Sequence, residues 1–141
     1  MKVGFASDHA GFKLKEHLMA WAGQQGYGTV DFGTDSEDSV DYPDFAHRAA
    51  ANCASWDFLV LVCGSGIGMC IAANRHSCIR CAVVASNEHA LMARKHNNAN
   101  CIAMGQRFTG HPQAESYLKL FLETEFEGGR HQKRVEKIDQ W

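Results

Sequence analysis

Cys63-Gly64-Ser65-Gly66-Ile67-Gly68 places a thiol at the head of a glycine-rich turn, directly after the apolar run Phe58-Leu59-Val60-Leu61-Val62. Such a run reads as a strand buried on both faces, and the glycines allow a sharp turn into a following helix. Backbone N–H groups at a turn of this kind point outward and, with the helix dipole, favour an anion. A thiol held there is expected to ionise below the ~8.5 of a free cysteine, which makes it a candidate base or nucleophile. Cysteine at the end of a buried strand is also a common packing residue. The glycine collar is what turns the reading toward chemistry.

Three further segments carry groups that could act with the thiol. Asp8-His9-Ala10-Gly11 follows the first strand-like segment, where the aspartate could cap a helix, handle protons, or do both. His96-Asn97-Asn98-Ala99-Asn100 reads either as a polar helix-to-strand connection or as part of a site. Arg130 and Arg134 lie four residues apart and share a face if their segment is helical, so two guanidinium groups could grip one phosphate; the alternative is a solvated terminal helix. Cys78-Ile79-Arg80-Cys81 has C-x-x-C spacing but no second pair, so a structural zinc site is disfavoured. His17 and His47 read as surface residues.

These residues need a scaffold. Strand-like segments at 2–7, 29–32, 58–62, 79–84 and 100–104 alternate with stretches long enough for crossover helices, a parallel α/β pattern. The first helix aligns Leu14, Leu18, Trp21 and Ala22, which leaves Lys13, Lys15, Glu16 and His17 off that face; a later one aligns Ala114, Tyr117, Leu118, Phe121 and Leu122. A helix is expected over 44–54 after Pro43, another from a Ser86 cap to about residue 96, and Pro112 suits a first helical turn. In a doubly wound sheet, ligands bind at the carboxyl ends of the strands where the winding reverses, commonly between strands one and three. Those ends carry Ser7-Asp8-His9 and Cys63-Gly64-Ser65.

A chain of 141 residues supports one domain, spanning 1–141. A net charge of -2 gives no field that favours nucleic acid or an anionic membrane, so the expected partner is a small molecule. No apolar run approaches the ~20 residues of a membrane span, and Met1-Lys2-Val3-Gly4-Phe5 enters a strand rather than a leader. A cytoplasmic protein with six reduced cysteines is the expectation.

Ser7-Asp8-His9-Ala10-Gly11, Asp41-Tyr42-Pro43, the Cys63–Gly68 turn, Ala72-Ala73-Asn74, His96-Asn97 and Glu127-Gly128-Gly129-Arg130-His131 occur in that order. With them the chain closely resembles type B ribose-5-phosphate isomerases, in a family that includes allose-phosphate and galactose-phosphate isomerases. The resemblance implies a three-layer α/β/α Rossmann-like sandwich with a five-stranded parallel sheet, and aldose–ketose isomerisation through a cis-enediolate without metal or other cofactor. It gives Cys63 the role of base; a glutamate six residues on serves in other members, and Met69 stands at that position here. Backbone donors from Gly64, Ser65, Gly66, Ile67 and Gly68 would hold the enediolate oxygen. Ring opening falls to His96, with Asp8 and Ser65 nearby, Ser65 replacing the threonine of many cysteine-type members. His9, Arg107, Arg130 and Arg134 would contact phosphate and sugar hydroxyls, and Asn97 the enediolate region.

The resemblance further implies a homodimer, or a tetramer built from it, in which the His96, Asn97 and Arg107 side of each site comes from the neighbouring subunit. A terminal helix over about 130–141 would pack on the partner. Ribose 5-phosphate is the favoured substrate; allose 6-phosphate, galactose 6-phosphate or a tetrulose 4-phosphate is the alternative. Other classes fit poorly. A receiver module needs an aspartate where Cys63 stands, the G-x-G-x-G spacing is not the dinucleotide fingerprint, and a cysteine phosphatase needs arginine at Met69.

Overall fold

A computed structural model describes residues 1–140. Strand β1 (Lys2–Ser7) leads into α1 (Phe12–Gln24), β2 (Gly28–Asp31), α2 (Tyr42–Ala51) and β3 (Phe58–Cys63). Then come α3 (Ile67–Ala73), β4 (Cys81–Val83), α4 (Asn87–Asn97), β5 (Cys101–Gly105), α5 (His111–Glu123) and α6 (Gln132–Ile138). The five strands are parallel in the order β2-β1-β3-β5-β4. The winding therefore reverses between β1 and β3, as expected.

Side chains alternate across the sheet. Val60 and Val62 of β3 join Val3, Phe5, Ile102 and Met104 beneath α1, α4 and α5. Leu59, Leu61 and Cys63 join Ala6, Cys101 and Ala103 beneath α2 and α3. Both faces of β3 are covered, which is why its sequence is continuously apolar.

Boundaries depart from expectation where local chemistry overrides pattern. Helix α2 begins at Tyr42 with Pro43 inside its first turn and stops at Ala51; a 3-10 turn at Cys53–Ser55 takes the remainder of the expected span. Strand β4 is only three residues long, because on its flank the Cys81 amide donates to the Asn74 side chain and the Arg80 amide to that of Asn100. Ser86 caps α4 as expected, its Oγ accepting from the His89 amide at 3.2 Å. The terminal helix covers Gln132–Ile138 with a 3-10 turn at Gly129–His131 ahead of it, so its expected end at residue 141 lies outside the described residues.

Lys15 is the largest departure. Expected off the buried face, it has 0% exposure. Its Nζ donates to both carboxylate oxygens of Asp31 at 2.8 Å and to the Thr34 carbonyl at 2.7 Å. The Thr34 amide in turn donates to the Ser7 carbonyl at 2.8 Å. A buried ammonium thus ties α1 and the loop after β2 to the end of β1, just ahead of Asp8. No helix of the described residues is long and apolar enough to cross a membrane.

Candidate active site

The carboxyl ends of β1, β3 and β5 frame a cavity of about 260 Å³ lined by Asp8, His9, Tyr42, Cys63, Gly64, Ser65, Gly68 and Arg107, with Ala10. Cys63 ends β3, and its Sγ accepts from the Gly66 amide at 3.1 Å. Gly66 can aim that amide because its φ of +80° lies in the left-handed region, and a Cβ there would press on the Met104 carbonyl carbon at 2.9 Å. Ser65 Oγ accepts from the Ile67 amide at 3.3 Å, which closes the turn into α3.

Asp8 both caps and faces the cavity. Its Oδ1 accepts from the Gly11 amide at 3.0 Å, and a Cβ at Gly11 would collide with the Val62 carbonyl, so the turn after β1 lies tight against β3. His9 Nδ1 accepts from the Val40 amide at 3.1 Å. That bond leaves the proton of a neutral ring on Nε2, available as a donor.

Arg107 corrects one expectation. Rather than entering from a neighbour, it lies over Gly64 of its own chain, its Cζ 3.0 Å from where a Gly64 Cβ would stand. The reason is topological: β3 and β5 are paired, with Cys63 opposite Gly105, so the residues just after β5 fold over the turn after β3. The Arg107 amide also donates to the Gly64 carbonyl at 3.1 Å.

His96, Asn97, Arg130 and Arg134 are not in this cavity. Helix α4 runs back from the carboxyl end of β4 to the amino end of β5, so its last residues lie at the opposite edge of the sheet, about 16 Å away along the helix. Helix α5 returns to that same edge, where the Glu127 amide donates to the Lys95 carbonyl at 3.1 Å. There His96 stacks on His131 with centroids 4.3 Å apart, and Arg130 and Arg134 stand exposed beside them. A larger cavity of about 450 Å³ at this edge includes Arg80, Asn97 and Ile138. The structure therefore places the expected site residues in two separate groups at opposite edges of the sheet.

Sequence reasoning gave Tyr42 no role. Its ring carbons lie 2.8 Å from where a Gly68 Cβ would stand, so it walls the cavity opposite the turn, and Asp41-Tyr42-Pro43 was the available signal. The C-x-x-C residues diverge. Burial, then a hydrogen bond with Cys53, pushes the Cys78 thiol up to about 11. Burial, then Cys101, pushes Cys81 up, and a hydrogen bond to Cys81, then burial, raises Cys70. His17 is not a plain surface residue either: it meets Glu115 Oε1 at 2.6 Å and stacks on His111.

A parallel α/β sheet with a thiol and backbone amides at its switch point defines a doubly wound α/β protein with a candidate small-molecule site there. Comparison with known proteins makes the class specific: residues 3–138 match the Ribose/Galactose Isomerase family, and the chain belongs to it. The chain is 39% identical over 139 residues to ribose-5-phosphate isomerase B of Escherichia coli, covering 97% of this chain and 93% of that one. A structure of ribose-5-phosphate isomerase B from Clostridium thermocellum superposes with a TM-score of 0.97 at 42% identity, covering 99% of this chain and 96% of that one. The Mycoplasma genitalium protein with bound ribulose-5-phosphate superposes with a TM-score of 0.93 at 36% identity, covering 99% and 94%.

Proposed function

We propose that this chain interconverts ribose 5-phosphate and ribulose 5-phosphate by moving a proton between C1 and C2 through a cis-enediolate. The observation that carries the reading is Cys63 Sγ, held by the Gly66 amide at the mouth of a cavity shared with Asp8, His9, Ser65 and Arg107. In this reading the Cys63 sulfur, fixed by that N–H, takes the proton from one carbon and returns it to the other. Amides of the 64–68 turn other than those engaged by Cys63 and Ser65 stabilise the enediolate oxygen, a preorganised role commonly worth several kcal/mol, about 3 for one donor. No second acid-base residue lies six positions on, since Met69 is fully buried in the core.

Ring opening requires His96, which sits at the far edge of its own sheet. A two-fold homodimer resolves this: the amino-edge residues His96, Asn97, Arg130 and Arg134 of one copy complete the carboxyl-end cavity of the other. The phosphate is then held by His9 Nε2–H and Arg107 from one copy and by the two exposed arginines of the second. Ile67 at 55%, Ile71 at 62% and Phe108 at 78% exposure leave apolar surface beside the cavity, which supports burial by a partner. The whole of residues 1–141 acts as one domain in this reading.

Measuring kcat/KM for ribose 5-, allose 6- and erythrulose 4-phosphate tests the assignment. Ribose 5-phosphate is expected to lead by at least about tenfold, the discrimination a pocket gives for one carbon unit. A lead for the six- or four-carbon substrate would transfer the function to that sugar phosphate. Turnover is expected to survive thorough chelation; a loss restored by a divalent metal would overturn the metal-independent mechanism.

A further inference from the structure

His131 has no part in the reaction as derived, yet it is 6% exposed and touches two residues that do. Its ring lies nearly parallel to His96, at 13° with centroids 4.3 Å apart. Its Nε2 receives Arg130 Nε at 3.5 Å and lies 3.7 Å from Glu127 Oε2. Donor atoms of His96, Glu127 and His131 fall within 4.8 Å of one another, a composition that could suggest a metal site. The geometry argues otherwise. Imidazole lone pairs lie in the ring plane, so two stacked rings direct them side by side instead of at one point. Arg130 also occupies the nitrogen a metal would need.

We propose that His131 is a positioning residue, a buried platform that fixes the His96 ring by stacking and aims the Arg130 guanidinium through Nε2. This rests on the reading of His96 as the ring-opening group and Arg130 as a phosphate ligand. The groups facing His131 are His96 from α4, and Glu127, Arg130 and Arg134 from the C-terminal segment. Burial first, then His96 and Arg130, hold its protonation below the ordinary histidine range, with Glu127 opposing. His131 is therefore held toward its neutral form, in which Nε2 can accept from Arg130.

Two variants separate its contacts. His131→Gln removes the ring face, and kcat for ribose 5-phosphate is expected to fall about tenfold, as for modest misplacement of a reacting group, with a displaced acidic limb in the kcat–pH profile. His131→Phe restores a ring face without an acceptor for Arg130, so kcat recovers while KM stays raised severalfold. Failure of His131→Phe to improve on His131→Gln at equal thermal stability would overturn the proposal. Histidine-ring NMR titration of the wild-type protein is independent of variant folding: His131 must stay neutral to lower pH than an ordinary histidine, and protonation in the ordinary histidine range overturns the proposal. His96→Ala keeps the two readings apart. Full activity in that variant removes the ring-opening role itself; loss there beside a normal His131→Gln removes only the positioning role.

Discussion

Cys63 differs from the other five cysteines in its hydrogen-bond donor, and burial alone does not set it apart, since Cys70 and Cys101 are buried too. Among the described cysteines its sulfur alone accepts from a backbone amide, whereas burial and neighbouring thiols raise Cys70, Cys78 and Cys81. Replacing Cys63 by alanine is therefore expected to reduce turnover by about 10²–10⁴-fold while phosphate-ligand affinity changes little, since the turn amides and Arg107 remain. Steady-state kinetics beside calorimetric titration with a non-reacting sugar phosphate checks this, and near-normal turnover would remove Cys63 as the base. His131 gives a pH dependence with a definite sign. Its folded-state protonation is depressed, so its contribution to stability is complete above the unfolded value of ~6.5 and is lost as pH falls through the lower folded value. Thermal melts from pH 7 downward should show an acid loss that His131→Gln makes shallower.

Elements position these residues through a few ties that helix periodicity does not reveal. Lys15 looked solvent-facing because the apolar stripe of α1 excluded it, yet its flexible stem carries the ammonium under the loop to Asp31 and Thr34. Asp31→Ala removes the carboxylate whose two oxygens both accept from that buried cation, leaving the Thr34 carbonyl and the more exposed Glu16 carboxylate at 3.1 Å, and is expected to cost about 3 kcal/mol in urea unfolding. Lys15→Met, which removes the charge with the need for a partner, is expected to cost much less. Equal losses in the two variants would show that packing, not the ion pair, matters. The ends of β3 and β5 illustrate a second tie. A Cβ at Gly105 would stand 2.7 Å from the Ser65 backbone, so close approach of the two strand ends sets the turn that presents Cys63.

At the scale of the whole molecule, β-strand direction sends Cys63 to one edge of the sheet and helix direction returns His96 to the other, so under the proposed mechanism the reaction takes two copies. Mixing Cys63→Ala with His96→Ala protein under exchanging conditions should restore roughly a quarter of wild-type sites, since half the dimers are mixed and each carries one intact site of two. Mass spectrometry first establishes that mixed dimers form. Mixed dimers without recovered activity would refute the shared site.

The order of strands and helices, the switch point between β1 and β3, and the cysteine turn with Asp8 opposite were legible in the chain, because each depends on hydrophobic period or on local turn chemistry within a few residues. The motifs also announced His96, Arg130 and Arg134 as functional candidates. Sequence spacing could not show that these face away from Cys63 within one subunit, that Arg107 folds over its own Gly64, or that Lys15 is buried. Those outcomes depend on which strands pair and where returning helices end, contacts between residues far apart in the chain. The stack of His96 on His131 is of the same kind: it exists because α4 and the segment after α5 end at one edge of the sheet, and only the tertiary structure brings those two ends together.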